Sequence, residues 1–102
     1  MKRTQLRKIS KKQSRINREL DKVRHNLSPY CIICGRPATD LSHLLPRSLY
    51  AEYYTEEWNI VPMCREHHFQ FDNNVSFRQN CISLYNRVKE HDERAAHKHF
   101  DL

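Results

Sequence analysis

The chain has 102 residues, 38% of them apolar, and a formal charge of +6. That length supports one small domain with an appendage and excludes two separate large cores. No run approaches the roughly 18 apolar residues of a membrane span, and Met1-Lys2-Arg3 is not followed by an apolar signal-peptide core. A soluble, cytoplasmic protein without membrane contacts is therefore expected.

The charge is concentrated at one end. Residues 1–27 hold ten Lys/Arg against Glu19 and Asp21, whereas residues 28–102 hold eight Lys/Arg against ten acidic residues. Within this basic quarter Leu6, Ile9, Ile16, Leu20, Val23 and Leu27 recur at helical spacing, with the polar Gln13 in the seam. The spacing predicts an amphipathic helix of about twenty residues, ended by Ser28-Pro29 because proline disfavours helical angles in the residue before it. Its apolar seam either packs on the body of the same chain or pairs two copies through residues 6–27. Its cations, Lys8, Lys11, Lys12 and Arg15 among them, suit sequence-independent phosphate contacts on a polyanion such as DNA.

Residues 28–102 form the expected folded domain. The segment 30–75 contains the only glycine, Gly35, and three prolines, Pro37, Pro46 and Pro62. Its short apolar runs fit two strands near 39–45 and 59–63, followed by a helix beginning around Cys64. Tyr50, Tyr53, Tyr54 and Trp58 crowd the intervening loop, where packing over a thin core is favoured over stacking on bases. Phe77, Cys81, Leu84, Tyr85 and Val88 then predict a second amphipathic helix over 76–98, with Cys81 as a small buried hydrophobe. The charged segment 89–98 reads as a solvated helix face, and His91, His97 and His99 have no partners at recognisable ligand spacing beyond one another, which speaks against a metal role for them. The fold class is α+β, with too little apolar material to hold together without a staple.

The cysteines offer one. Cys31-Ile32-Ile33-Cys34 is a Cys-x-x-Cys turn, and Cys64-Arg65-Glu66-His67 gives Cys-x-x-His thirty positions later. A two-residue gap lets both ligands of a pair reach one tetrahedral ion, and the long gap lets two turns converge on it, so structural Zn²⁺ is expected. A redox dithiol would need a strand-to-helix context that is absent here, and would leave Cys64 and His67 unexplained. Four protein ligands leave no open position for water, so this zinc is not catalytic.

The remaining motif is His43-Leu44-Leu45-Pro46-Arg47-Ser48, followed by Asn59-Ile60-Val61-Pro62-Met63-Cys64 and the paired His67-His68. Together with the knuckle, this order resembles the HNH endonuclease family, a phosphodiester hydrolase family built on a ββα-metal core; the likeness spans residues 31–73. The resemblance implies that His43 is the general base, Asn59 a brace that fixes where the base points, and His68 a ligand of a catalytic divalent cation, Mg²⁺ or a transition metal. It implies hydrolysis to 5′-phosphate and 3′-hydroxyl ends, with double-stranded DNA as substrate, and compact size with a basic arm suggests a phage or mobile-element protein. The family commonly places Asp or His directly before the base; here that position is Ser42, whose hydroxyl is a poor ligand for a hard cation. Asp40, which shares the strand face of Ser42, and Asp72, four residues on from His68, are the substitutes, with Asp40 preferred. Arg47 is the expected phosphate contact. Two other readings stay open: a non-catalytic zinc module that binds DNA, and a nuclease acting on branched recombination intermediates.

Overall fold

The computed structural model describes residues 11–102. In chain order its elements are helix α1 (Lys11–Asn26), strand β1 (Asp40–His43), two short 3₁₀ turns (Ala51–Tyr53 and Glu57–Asn59), strand β2 (Ile60–Met63), and helices α2 (Arg65–Asn73), α3 (Val75–Asn80), α4 (Ile82–Lys89) and α5 (Glu93–Phe100). The fold is a small α+β arrangement: one two-stranded antiparallel sheet with several helices. No described helix is long and apolar enough to cross a membrane.

The strands pair with Asp40 opposite Met63, Leu41 opposite Pro62, Ser42 opposite Val61 and His43 opposite Ile60. Every residue of β2 is buried, as its unbroken Ile-Val-Pro-Met run requires. Pro62 lacks an amide hydrogen, and its carbonyl accepts from the Ile32 amide at 2.9 Å. The Cys31–Cys34 turn is thereby laid along the outer edge of β2.

The C-terminal segment differs from the sequence expectation. Instead of one helix over 76–98 there are three, with breaks at Cys81, whose φ and ψ are −85° and 64°, and before Asp92. Capping side chains mark the starts of α3 and α5, whereas α4 begins after Cys81 without one. The Asn74 side chain accepts from the Phe77 amide at 3.1 Å and begins α3, and Asp92 accepts from the Ala95 amide at 3.0 Å and begins α5. Burial explains why breaking wins. A straight helix would carry its apolar stripe past a body this small, whereas α4 and α5 folded on each other place Leu84, Val88, Ala95, Ala96 and Phe100 in one core with Leu44, Leu45, Val61, Met63 and Phe71. Cys81 is half-buried at the first break, its thiol against the Phe77 carbonyl at 3.4 Å.

Arg78 fixes the packing of these helices. Only 6% exposed, it donates to the carbonyls of Phe71, Asp72 and His99 at 2.9–3.0 Å. These carbonyls belong to the C-terminal turns of α2 and α5, where a cation meets the negative ends of both helix dipoles.

Helix α1 touches the body through its second half. Val23 is buried and Leu20 and Leu27 are half-buried, while Lys11, Lys12 and Arg15 are exposed. The expected positions Leu6, Lys8 and Ile9 lie outside the described residues.

Candidate functional site

The knuckle is assembled by two turns. In the first, Gly35 has φ of 78° and returns its amide to the Cys31 carbonyl at 2.9 Å, while the Arg36 carbonyl accepts from the Cys31 amide at 2.7 Å. The left-handed backbone, rather than lack of space, is what calls for glycine there. In the second turn Cys64 is the residue capping α2, so His67 lies one helical turn behind it.

These turns bring the ligand atoms of Cys31, Cys34, Cys64 and His67 within 4.8 Å of one another. The Cys34 and Cys64 sulfurs are 3.9 Å apart, and Nδ1 of His67 is 3.4 Å from the Cys64 sulfur and 3.8 Å from that of Cys31. A tetrahedron with Zn–S near 2.3 Å and Zn–N near 2.0 Å has edges of about 3.5–3.8 Å, so the donor set and its spacing fit zinc. Arg36 lies against the cluster, 3.3 Å from the Cys34 sulfur and 3.7 Å from that of Cys64, and also pairs with Glu66 at 3.3 Å. The guanidinium holds the Cys34 thiol below its ordinary range. For Cys31, burial opposes ionisation, but the amides of Cys64, Cys34 and Ile33 outweigh it and bring the thiol down to about 7. Both shifts favour the thiolate that a metal needs.

A second constellation occupies a cleft of about 580 Å³ between the sheet, α1, α2 and α5. His43, at the end of β1, lines it together with His68 and Asp72 of α2. Nε2 of His43 is 3.0 Å from the Tyr54 carbonyl. A carbonyl only accepts, so Nε2 carries the proton and Nδ1 is the free basic nitrogen. Burial, partly offset by the Tyr54 carbonyl, lowers the pKa of His43 and favours the neutral ring.

Asn59 exposes none of its surface. Its carboxamide oxygen accepts from the Leu45 amide at 2.8 Å, and its nitrogen donates to the carbonyls of Leu45 and Tyr53 at 3.3 and 3.0 Å. Asn59 therefore ties together the two ends of the loop that leaves His43 and returns through Tyr54.

His68 stands between both candidate acids. Its Nδ1 is 2.8 Å from Asp40 and its Nε2 is 3.2 Å from Asp72. Each ring nitrogen of His68 thus has a carboxylate within hydrogen-bonding distance. The hydrogen bond to His68, aided by Thr39 and Arg65, holds Asp40 below the usual carboxylate range. Both carboxylates that the sequence offers beside His68 therefore adjoin its ring, Asp40 at Nδ1 and Asp72 at Nε2. Ser42, between Asp40 and His43, is fully buried, and its hydroxyl has no hydrogen-bond partner among the described residues.

Arg47 is exposed, with its guanidinium 4.4 Å from the centre of the Tyr54 ring. Tyr50, Tyr53 and Trp58 pack against the core as expected of the loop aromatics, and Trp58 stacks on His91 with centroids 4.5 Å apart. Tyr54 instead lies parallel to the His43 ring. Other residues of the cleft besides Tyr54 lie beyond sequence spacing. Arg24 and His99 line it because α1 crosses its rim and α5 folds back beneath it. Burial, reinforced by Arg78, pushes the pKa of His99 down to about 4, so this imidazole is neutral.

No family model, curated protein or solved structure matches the chain.

Proposed function

We propose that the chain is a metal-dependent HNH endonuclease that hydrolyses phosphodiester bonds, acting on double-stranded DNA. The observation that carries this reading is the convergence of a neutral His43, with a free Nδ1, on the same cleft as the His68–Asp72 pair.

In this mechanism Nδ1 of His43 takes a proton from the attacking water. The Tyr54 carbonyl, already bonded to Nε2–H, stabilises the imidazolium that forms. Asn59 holds the loop so that this carbonyl and the imidazole stay in register. His68 through Nε2 and Asp72 would hold the divalent cation, with Asp40 keeping the His68 ring oriented. Bound there, such a cation would supply Lewis-acid stabilisation of the phosphate and of the departing 3′ oxygen. Arg47 and Arg24 contact the phosphates flanking the scissile bond. The exposed cations of α1 add the long-range, salt-sensitive attraction that the acidic body cannot provide. The zinc knuckle is structural.

A second reading, a non-catalytic zinc module that binds DNA, draws on Ser42, which offers the cleft no ligand. Plasmid cleavage by purified protein with Mg²⁺, Mn²⁺ or Ni²⁺ separates the two. The nuclease reading expects nicking and linearisation that EDTA stops and that His43→Ala abolishes. No metal-dependent cutting by the wild type, or equal cutting by the variant, selects the binding module.

A further inference from the structure

Tyr54 is the one aromatic residue of the 47–59 loop whose ring leaves the core cluster and turns to the cleft. It meets His43 twice. Its carbonyl accepts from Nε2 at 3.0 Å, and its ring stacks on the imidazole with centroids 4.5 Å apart and planes 7° from parallel. The same ring takes the Arg47 guanidinium at 4.4 Å.

These contacts divide the work. Any residue at position 54 supplies a carbonyl, so the backbone bond can select the His43 tautomer without the phenol ring. It cannot fix the ring plane, because an imidazole can pivot about a single hydrogen bond. A parallel ring at stacking distance removes that pivot. Arg47 is on an exposed stretch and makes no ion pair among the described residues, so attraction to the electron-rich face of Tyr54 is what holds its guanidinium beside the base.

We propose that Tyr54 is a positioning residue that couples the general base to the phosphate anchor, its ring holding the His43 imidazole and the Arg47 guanidinium in one fixed relation. This rests on the nuclease reading above. The consequence is that the Nδ1 that accepts the proton and the cation that receives the phosphate move as a unit, so a phosphate bound at Arg47 presents its attacking water at a set distance from the base. Removing the ring should then uncouple Arg47 from catalysis as well as loosening His43.

The test uses the full-length, zinc-loaded protein as wild type, Tyr54→Phe, Tyr54→Ala, Arg47→Ala and the Tyr54→Ala/Arg47→Ala double variant. Thermal melts and zinc content establish that each is folded. Cleavage of a duplex oligonucleotide gives kcat and KM, and long-range ¹H–¹⁵N correlation spectra of His43 report the tautomer and the mobility of the ring without substrate. The expected result is a kcat loss on the order of 10- to 100-fold in Tyr54→Ala, since misplaced catalytic groups cost rates of that size, largely rescued in Tyr54→Phe. The KM rise caused by Arg47→Ala in the wild type should shrink toward none in the Tyr54→Ala background. In the spectra, Tyr54→Ala should keep the Nε2–H tautomer that the backbone carbonyl selects but shift and broaden the His43 ring signals as the imidazole gains freedom to pivot, whereas Tyr54→Phe should match the wild type. An unchanged His43 spectrum in Tyr54→Ala, an Arg47 effect that simply adds, or a Tyr54→Phe as impaired as Tyr54→Ala would overturn the proposal. If the wild type does not cut, the nuclease reading fails, and the spectra alone still decide whether the Tyr54 ring positions His43.

Discussion

Replacing Asn59 tests the frame that holds His43. Its amide makes three hydrogen bonds inside a site with no solvent exposure, to the Leu45 amide and to the carbonyls of Leu45 and Tyr53. Alanine deletes all three. At about 1 kcal/mol net per bond, with roughly 1 kcal/mol more for the stranded Leu45 amide, the loss is about 4 kcal/mol. For a domain of this size that lowers the melting temperature by about 20 °C. Aspartate is the more discriminating change. One carboxylate oxygen still accepts from Leu45, but the other faces two carbonyl oxygens, so the group is favoured in the folded state only when protonated. Its folded pKa is therefore raised above the unfolded value, and the linkage sign follows: Asn59→Asp should approach wild-type stability at low pH and lose it as pH rises through the folded value. Urea denaturation followed by circular dichroism between pH 5 and 8, with zinc in excess, measures both. An Asn59→Ala variant within about 1 kcal/mol of wild type, or an Asn59→Asp penalty that ignores pH, would refute this account of the loop.

Stripping zinc with a strong chelator should unfold the 28–102 body, because binding energies of about 10–16 kcal/mol for such sites match or exceed the stability of a small domain; a native far-ultraviolet spectrum in zinc-free protein would contradict it. His99 has its folded pKa pushed down to about 4 by burial. Its contribution to stability is complete above its ordinary value near 6.5 and is lost as pH falls toward 4. His99→Gln should flatten that acid limb, and an unchanged acid profile by thermal melting would show that His99 is not buried in solution. Reversing Lys11, Lys12 and Arg15 to glutamate should reduce the slope of log affinity against log salt by about 3 if each cation contacts a phosphate. Fluorescence anisotropy on duplex DNA measures this, and an unaltered slope would remove α1 from the interface.

The local patterns in the sequence carried much of the arrangement. Two-residue ligand gaps and a lone glycine locate the knuckle, since both are local requirements of a turn. Short apolar runs place β1, β2 and the start of α2 within a few residues, and counting along the strand and helix already sets Asp40 and Asp72 on the side of His68. What the pattern could not supply was long-range. Periodicity is the same for one helix over 76–98 as for three that fold back, so the breaks at Cys81 and Asp92, and with them the arrival of His99 at the cleft, depend on where the core needs apolar surface. Spacing ranks Asp40 above Asp72, but which imidazole nitrogen each carboxylate meets is decided by the tilt of α2 against the sheet. Tyr54 shares its composition with its loop neighbours, and only the turn geometry separates the ring that faces His43 from those that face the core.

His67 and His68 are consecutive on α2, one turned toward the knuckle and the other toward the cleft. Successive residues of an α-helix differ in azimuth by roughly 100°, so the metal-binding turn sets the rotational phase of the whole helix. Inserting or deleting a single residue between Cys64 and His68 would swing the cleft imidazole away from Asp40 even if every side chain were retained. Length variation among related chains should accordingly spare the segment from Cys64 to Asp72, where the count of residues fixes which way each imidazole faces.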